Sequence, residues 1–474
     1  MVDKFLIYDL IFLVIFVLFV SFFLYRGKKN IKKDGLLLLY RTSWGMKLID
    51  RIGKKYPKTL RFLSYISVGL GFVLMLGGLY LVWMIIEIYL FRPDVVRAIK
   101  VPPITPLIPY LPKIFKIDFL PPLYVTYWII MIAIVAIPHE FFHGIFMRRY
   151  NIKINSTGFG FFPYFLPVFL AAFVEQDEKS MNKASKFEQM AVLGAGTFAN
   201  VLTAIFFFFV FWMFFVTAFA PAGIVIDDYA YSFVEVSGIT MVNGIQLNNP
   251  TINDLIKIDN ESKITSIEAN GESYVGIKAI FDDTDEYIVL YDDAPAIKAN
   301  LTGVITEING EKITSVDKLT SILNKYSSGD EVTVKTINEF DEEISTNIVL
   351  AENKYTGNGL IGIKHPEVTG KGIVGRTFLF LSAFKKPEIY YRPVISGFSI
   401  FIYNLLLWIL LASISVALVN MLPVGIFDGG RFFYLAVCGL TGNEKIARKT
   451  FSWITYFFLF LLLLIMVIWA FTLF

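Results

Sequence analysis

The stretch Pro138-His139-Glu140-Phe141-Phe142-His143-Gly144 concentrates the chemistry of this chain. Histidines four residues apart lie on one face of a helix, about one turn from each other, so both imidazoles can bind one metal ion. Glu140, one residue past the first histidine, is spaced to act as general base toward a water that the metal activates. The chain has 3 histidines in all, and two of them are here. The apolar run that carries them begins near Pro122, and ionisable groups inside such a run are costly unless they bind something. Mutual hydrogen bonding among these side chains is the bland alternative. It is the weaker one, because three such groups in hydrocarbon need a stronger partner than a neighbouring amide.

Two histidines and one carboxylate leave a tetrahedral zinc with an open position. Asp428, in Val419-Asn-Met-Leu-Pro-Val-Gly-Ile-Phe-Asp-Gly-Gly-Arg431, is the natural third ligand, because the topology below places it at the same inner depth. Glu175 and Asp177 are the alternatives, in a charged turn at 175–186. Pro423 and Gly425 break the helix ahead of Asp428, so that Asp428 projects from a non-helical turn. Asn200 is a polar group in an apolar run. It serves either as interhelical glue or as a hydrogen-bond donor to a substrate or a developing oxyanion. His365 stands apart and reads as a lone surface histidine.

The elements that must position these groups are membrane helices. Of 474 residues, 55% are hydrophobic and 16% aromatic, with mean hydropathy +0.61. That is far more apolar than a soluble protein. Apolar runs at roughly 5–25, 62–90, 123–147, 187–219, 396–421 and 451–474 predict about six transmembrane helices. The first reads as an anchor, since no small-residue cleavage site follows it. The net charge of +3 says little, because the charges are segregated. The segment 26–61 is strongly basic. It predicts a cytoplasmic loop facing anionic lipid rather than a nucleic-acid arm. Both termini are then extracytoplasmic, and the chemistry sits near the cytoplasmic side. Asp9 and Glu87 fall near outer span ends, where they can snorkel. Gly69, Gly71, Gly77 and Gly78 permit close helix packing. Pro138 is expected to kink its helix. The single cysteine, Cys438, excludes an intrachain disulfide framework.

Between the spans, a proline-punctuated loop at 91–122 reads as a stiff connector or lid. Residues 158–174 are apolar, broken by Gly158, Gly160, Pro163 and Pro167, and too short to span. They predict a re-entrant loop or hairpin whose strand edge can pair with an unwound peptide. From 222 to 368 the apolar runs shorten and alternate, acids outnumber bases, and Asn243-Gly244, Asn270-Gly271 and Asn309-Gly310 mark turns. The run 303–323 resembles the centre of a PDZ domain, and 264–271 loosely echoes 305–310, which leaves one or two such units open. Residues 376–392, aromatic and basic, read as an interfacial segment returning to the bilayer.

Taken together, His139-Glu-Phe-Phe-His143, Gly196-x-x-x-Asn200, and Asn420-x-x-Pro423 with Asp428-Gly429-Gly430 resemble the site-2 protease family of intramembrane zinc metalloproteases. Ala172-Phe-Val-Glu175 resembles a further family segment, with Ala171 or Ala172 where a glycine is usual. The resemblance implies an α-helical polytopic membrane protein with an inserted extracytoplasmic α+β PDZ-like domain. It assigns one Zn2+ to His139, His143 and Asp428, catalysis to Glu140, and substrate or transition-state contacts to Asn200 and Asn420. It implies single-span membrane proteins as substrates, cut within their transmembrane segments, with membrane lipid as the surroundings and no nucleic-acid partner. The expected organisation is 1–121, an N-terminal two-span region; 122–221, the first part of the protease core; 222–368, the PDZ-like domain; and 369–474, the second part of the core. A metal transporter and an inactive PDZ scaffold are the rival readings. The first calls for a polar path through the bilayer, and few polar residues lie outside this cluster. The second is at odds with an intact Glu140.

Overall fold

A computed structural model describes residues 4–34, 37–92, 95–97, 107–115, 120–161, 170–280, 286–353, 356–366, 382–395 and 397–473, with isolated positions between them. The chain divides into two compact units, Met1–Phe214 with Ile400–Phe474, and Phe215–Ser399.

The first unit is mainly helical. Its helices are α1 (Lys4–Arg26), α2 (Met46–Lys55), α3 (Pro57–Phe91), α4 (Val125–Arg149), α5 (Lys186–Ala218), α6 (Phe398–Asn420), α7 (Asp428–Thr441) and α8 (Glu444–Leu473). All of these except α2 and α7 are long and apolar enough to cross a membrane. They match the six expected spans, with ends shifted by a few residues. α8 starts earlier than the apolar run because the polar turn ahead of it is itself helical. α4 runs through Pro138 as one helix.

The basic segment after α1 is more than a loop. It supplies β1 (Ile31–Asp34), β2 (Leu37–Thr42) and α2. β3 (Ile154–Phe161) and β4 (Leu170–Gln176) complete a four-stranded antiparallel sheet in the order β1-β2-β3-β4. The strands of the expected hairpin at 158–174 are therefore present, while Pro163 and Pro167 lie outside the described residues. Gly158 lets β2 and β3 pair closely, since a Cβ there would stand 2.0 Å from the Tyr40 carbonyl oxygen.

α2 lies on α4, where a Cβ on Gly144 would meet Ile49 at 2.8 Å and one on Gly53 would meet Arg148 at 2.6 Å. α3 uses the glycines unequally. Gly71 and Gly78 face Phe432 and Leu422 at 3.0 Å, whereas Gly69 faces open space. One core joins Ile49, Val68, Met75, Phe146, Val192, Met421 and Phe432 from five helices and the turn after α6.

Asp9 departs from expectation. It is buried at 1% exposure and does not snorkel. It accepts hydrogen bonds from Val125 N and Thr126 N, both at 2.8 Å, from Thr126 Oγ1 at 2.6 Å, and from the Tyr110 hydroxyl. The first N–H groups of a helix have no partner within it, and a carboxylate there also suits the helix dipole. An acid from α1 thus caps the helix that carries the histidines. Burial, and Asp9 close by, push the Tyr110 phenol above its usual range.

The second unit holds two main antiparallel sheets with separate cores, and two short two-stranded ones, among the described residues. In chain order its main strands are β5 (Phe219–Val225), β6 (Tyr231–Glu235), β7 (Ile239–Val242), β8 (Ile267–Ala269), β9 (Glu272–Ile280), β10 (Tyr287–Asp292), β11 (Val304–Ile308), β12 (Glu331–Ile337), β13 (Glu343–Val349) and β14 (Ile389–Pro393). One sheet runs β6-β10-β9-β8-β7 and packs against helix Ile252–Glu261; the other runs β13-β12-β11-β5-β14 and packs against helix Val316–Leu323. β14 overturns part of the interfacial reading of 376–392, because its backbone is spent on β5 in register Ile389↔Ile224 to Pro393↔Phe219. The unit is therefore wider at both ends than 222–368. His365 is partly buried within it and joins no metal-ligating cluster among the described residues.

Candidate metal centre

His139 and His143 project from one face of α4, with their Nε2 atoms 3.1 Å apart. Asp428 Oδ2 stands 3.4 Å from His139 Nε2 and 3.3 Å from His143 Nε2. Two parts of the chain far apart in sequence thus converge on one triangle of ligand atoms. Asp428 does not sit in the non-helical turn; it is the first residue of α7, just after that turn. Gly429 and Gly430 make this possible. A Cβ on Gly429 would meet the Met421 carbonyl carbon at 2.3 Å, and one on Gly430 the Val424 oxygen at 2.4 Å. The first turn of α7 therefore packs directly onto the backbone after α6.

Helix α5 closes the other side. A Cβ on Gly196 would lie 2.3 Å from His143 Nε2 and 2.6 Å from His139 Nε2. Any side chain at 196 would occupy the space in front of the ligand atoms. On the same helix, the Val192 carbonyl accepts from His143 Nδ1 at 2.7 Å, which leaves Nε2 with a lone pair for a metal. Asn200 is fully buried, with its amide nitrogen 3.0 Å from His139 Nδ1 and its Oδ1 without a hydrogen-bond partner. With Nε2 on a metal, Nδ1 of His139 carries the proton and must donate. Turning the Asn200 amide over presents the unpartnered oxygen to that proton. Gly196 and Asn200, one turn apart, thus give the glycine room and the asparagine a histidine to hold.

The donor set fits zinc. Ligands bound at 2.0–2.1 Å in a tetrahedron stand about 3.3 Å apart, close to the 3.1, 3.3 and 3.4 Å sides of this triangle. The other acids weighed for the third position are engaged elsewhere. Glu175 accepts from Arg41 at 2.9 Å and Ser156 at 2.6 Å. Asp177 caps the short helix Glu178–Lys183, and the Ser180 N–H holds its carboxyl below the usual range.

Glu140 turns toward the sheet. Its Oε2 accepts from Val174 N on β4 at 3.0 Å. Asn420 ends α6, partly exposed, and its side chain forms no hydrogen bond with the triangle among the described residues.

The family model for Peptidase family M50 matches residues 127–465, a range that contains the whole triangle. This chain belongs to Peptidase family M50. As a member it is an integral membrane protein, in keeping with the six long apolar helices among the described residues. It is similar to the zinc metalloprotease RasP of Shouchella clausii (strain KSM-K16), at 25% identity over 215 residues, covering 39% of this chain and 51% of that protein. The chain therefore matches about half the length of this relative. A PDZ domain of an SdrC-like protein from Listeria monocytogenes matches 15% of this M50 chain and 77% of its own length, at 28% identity and a TM-score of 0.14.

Proposed function

We propose that this chain is an intramembrane zinc metalloendopeptidase of the site-2 protease type. In this reading it hydrolyses peptide bonds within the transmembrane segments of single-span membrane proteins. The observation that carries it is the triangle of His139, His143 and Asp428, with Glu140 alongside and Gly196 leaving its front open. Bound zinc supplies Lewis-acid polarisation of the scissile carbonyl and a more acidic water. Glu140 takes a proton from the attacking water and passes it to the leaving nitrogen. Val192 and Asn200 hold the two imidazoles in the tautomer that turns Nε2 toward the ion. We assign Asn200 this orienting role rather than contact with substrate.

A peptide bond inside a helix is sheathed by its own hydrogen-bond ladder, so the substrate must unwind locally. Among the described residues β4 is one edge of the sheet, and its Val174 N–H faces Glu140 rather than β3. Backbone groups alternate along a strand, so Ala172 faces the same way. An unwound segment added along this edge would lie beside Glu140. We place this site near the cytoplasmic face, and the termini and the β-rich unit on the other side, from the basic residues between α1 and α3. The β-rich unit, read as PDZ-like, would filter substrates by ectodomain size or by a newly exposed C-terminus.

Glu140→Gln tests the catalytic assignment. It should keep zinc and lose cleavage of a reconstituted single-span substrate by roughly 10²–10⁴-fold. Unchanged cleavage removes Glu140 from the mechanism.

A further inference from the structure

Beside Glu140 lies a small cavity of about 40 Å³ that the catalytic account does not use. Trp44, Ile137, Glu140, Phe141, Phe159 and Phe173 are among the residues that line it. Its outer wall comes from the segment between α1 and α3, and that wall is fixed in place. Thr157, buried on β3, donates its hydroxyl to the carbonyls of Thr42 at 3.0 Å and Trp44 at 2.8 Å. Trp44 N donates to Thr42 Oγ1 at 3.1 Å. Gly45 follows at φ +80°, a left-handed conformation that other residues rarely adopt. The turn leaves the Trp44 indole 6.4 Å from the Phe159 ring, with 65% of the residue exposed. A cavity needs about 10–15 Å³ of this kind of volume per water-sized group. This one holds about three such groups, enough for a small aliphatic side chain and too few for an aromatic ring.

We propose that this cavity is the subsite for the substrate side chain just after the scissile bond, and that it selects small aliphatic residues there. The inference rests on the protease reading. Glu140 forms part of the wall, and the nitrogen that it protonates belongs to the residue after the bond. That residue's side chain is therefore the one nearest the cavity. Apart from Glu140 the lining is mainly apolar, with Ile49, Ile137, Ala172 and Val174 beside the aromatic rings, and the Thr157 hydroxyl is already engaged with backbone carbonyls, so the cavity favours an alkyl group. Trp44 is the size limit that can be changed without opening the core, because its side chain is largely exposed.

The test uses the full chain in liposomes and a series of single-span substrates. The residue after the cut is varied through Ala, Val, Leu, Phe and Trp, and the residue before it is varied as a control. The wild type should show kcat/KM at least tenfold higher for Ala or Val than for Phe or Trp after the cut. Trp44→Ala should bring that ratio within about threefold. Ala172→Val, which fills the cavity from β4, should shift preference toward Ala alone. A wild-type ratio near one, or a ratio unchanged in both variants, overturns the subsite. Selection that appears instead at the residue before the cut also overturns it. If the wild type cuts no member of the series, the protease reading fails and the subsite with it, an outcome distinct from cutting without preference.

Discussion

The two units of this chain are held together by different kinds of polar contact. In the β-rich unit the decisive ones are local. Asn243-Gly244, Asn270-Gly271 and Asn309-Gly310 all turn the chain with both residues at positive φ, between 46° and 82°. Thr251 and Asp254 form a capping box within one helical turn. In the helical unit the decisive contacts join residues far apart. Asp9 caps α4, Thr157 holds the turn at Thr42 and Trp44, Asn200 meets His139, and Arg41 pairs with Glu175. In an apolar interior each polar group needs a partner, and few partners are near in sequence. Polar groups there act as long-range staples, whereas in the β-rich unit they punctuate the chain.

This contrast can be broken by substitution. Asp9→Ala should have the largest effect on the fold, because it leaves two backbone N–H groups and two hydroxyls without their acceptor. At about 1–3 kcal/mol for a buried donor left unsatisfied, a loss of roughly 3 kcal/mol or more is expected. Thermal unfolding in detergent would read it, and an unchanged midpoint would show that the cap is idle. Asn200→Ala should leave the fold nearly intact and weaken zinc about 10–100-fold by freeing the His139 ring. Competition with a chelator would measure that shift, and excess zinc should restore activity. A loss of activity that zinc cannot restore would return Asn200 to direct contact with substrate.

The smallest effect belongs to the β-rich unit. Hydrogen bonds from Thr251 hold Asp254, and the Lys325 ammonium holds Glu311, below the usual carboxylate range. A carboxyl with a lowered folded pKa adds stability above its unfolded value near about 4 and loses it as pH falls through the folded value. Acid should therefore loosen this unit slightly, only below about pH 4. Both groups are exposed, so the change should be small and weaker in high salt. Loosening on the alkaline side instead would contradict the assignment.

The same contrast explains what was legible in the sequence. The six apolar runs, the histidine pair with its glutamate, and the Asn-Gly turns are local patterns, and each appears where it was expected. Asp428 was reachable because the expected topology set it at the depth of the histidine pair. Asp9 was misplaced because its partners at 110, 125 and 126 form no pattern with it. The strands at 31–42 were hidden because 26–61 as a whole reads as basic, and the apolar run at 36–40 shows no alternation that would mark a strand. β14 was hidden by its aromatic and basic composition, which suits a membrane interface equally well. Gly196 was visible as a motif, but only the packed helices show that its missing side chain leaves room for the ligand atoms.

In the proposed reading one ion would join α4 to the start of α7. The most direct measurement is the zinc content of the purified chain, by mass spectrometry, for the wild type and for Asp428→Ala after identical dialysis. One zinc per wild-type chain is expected, and less than about a tenth of that in the variant, since a three-ligand protein site loses a charged donor. Full zinc occupancy in Asp428→Ala would contradict it.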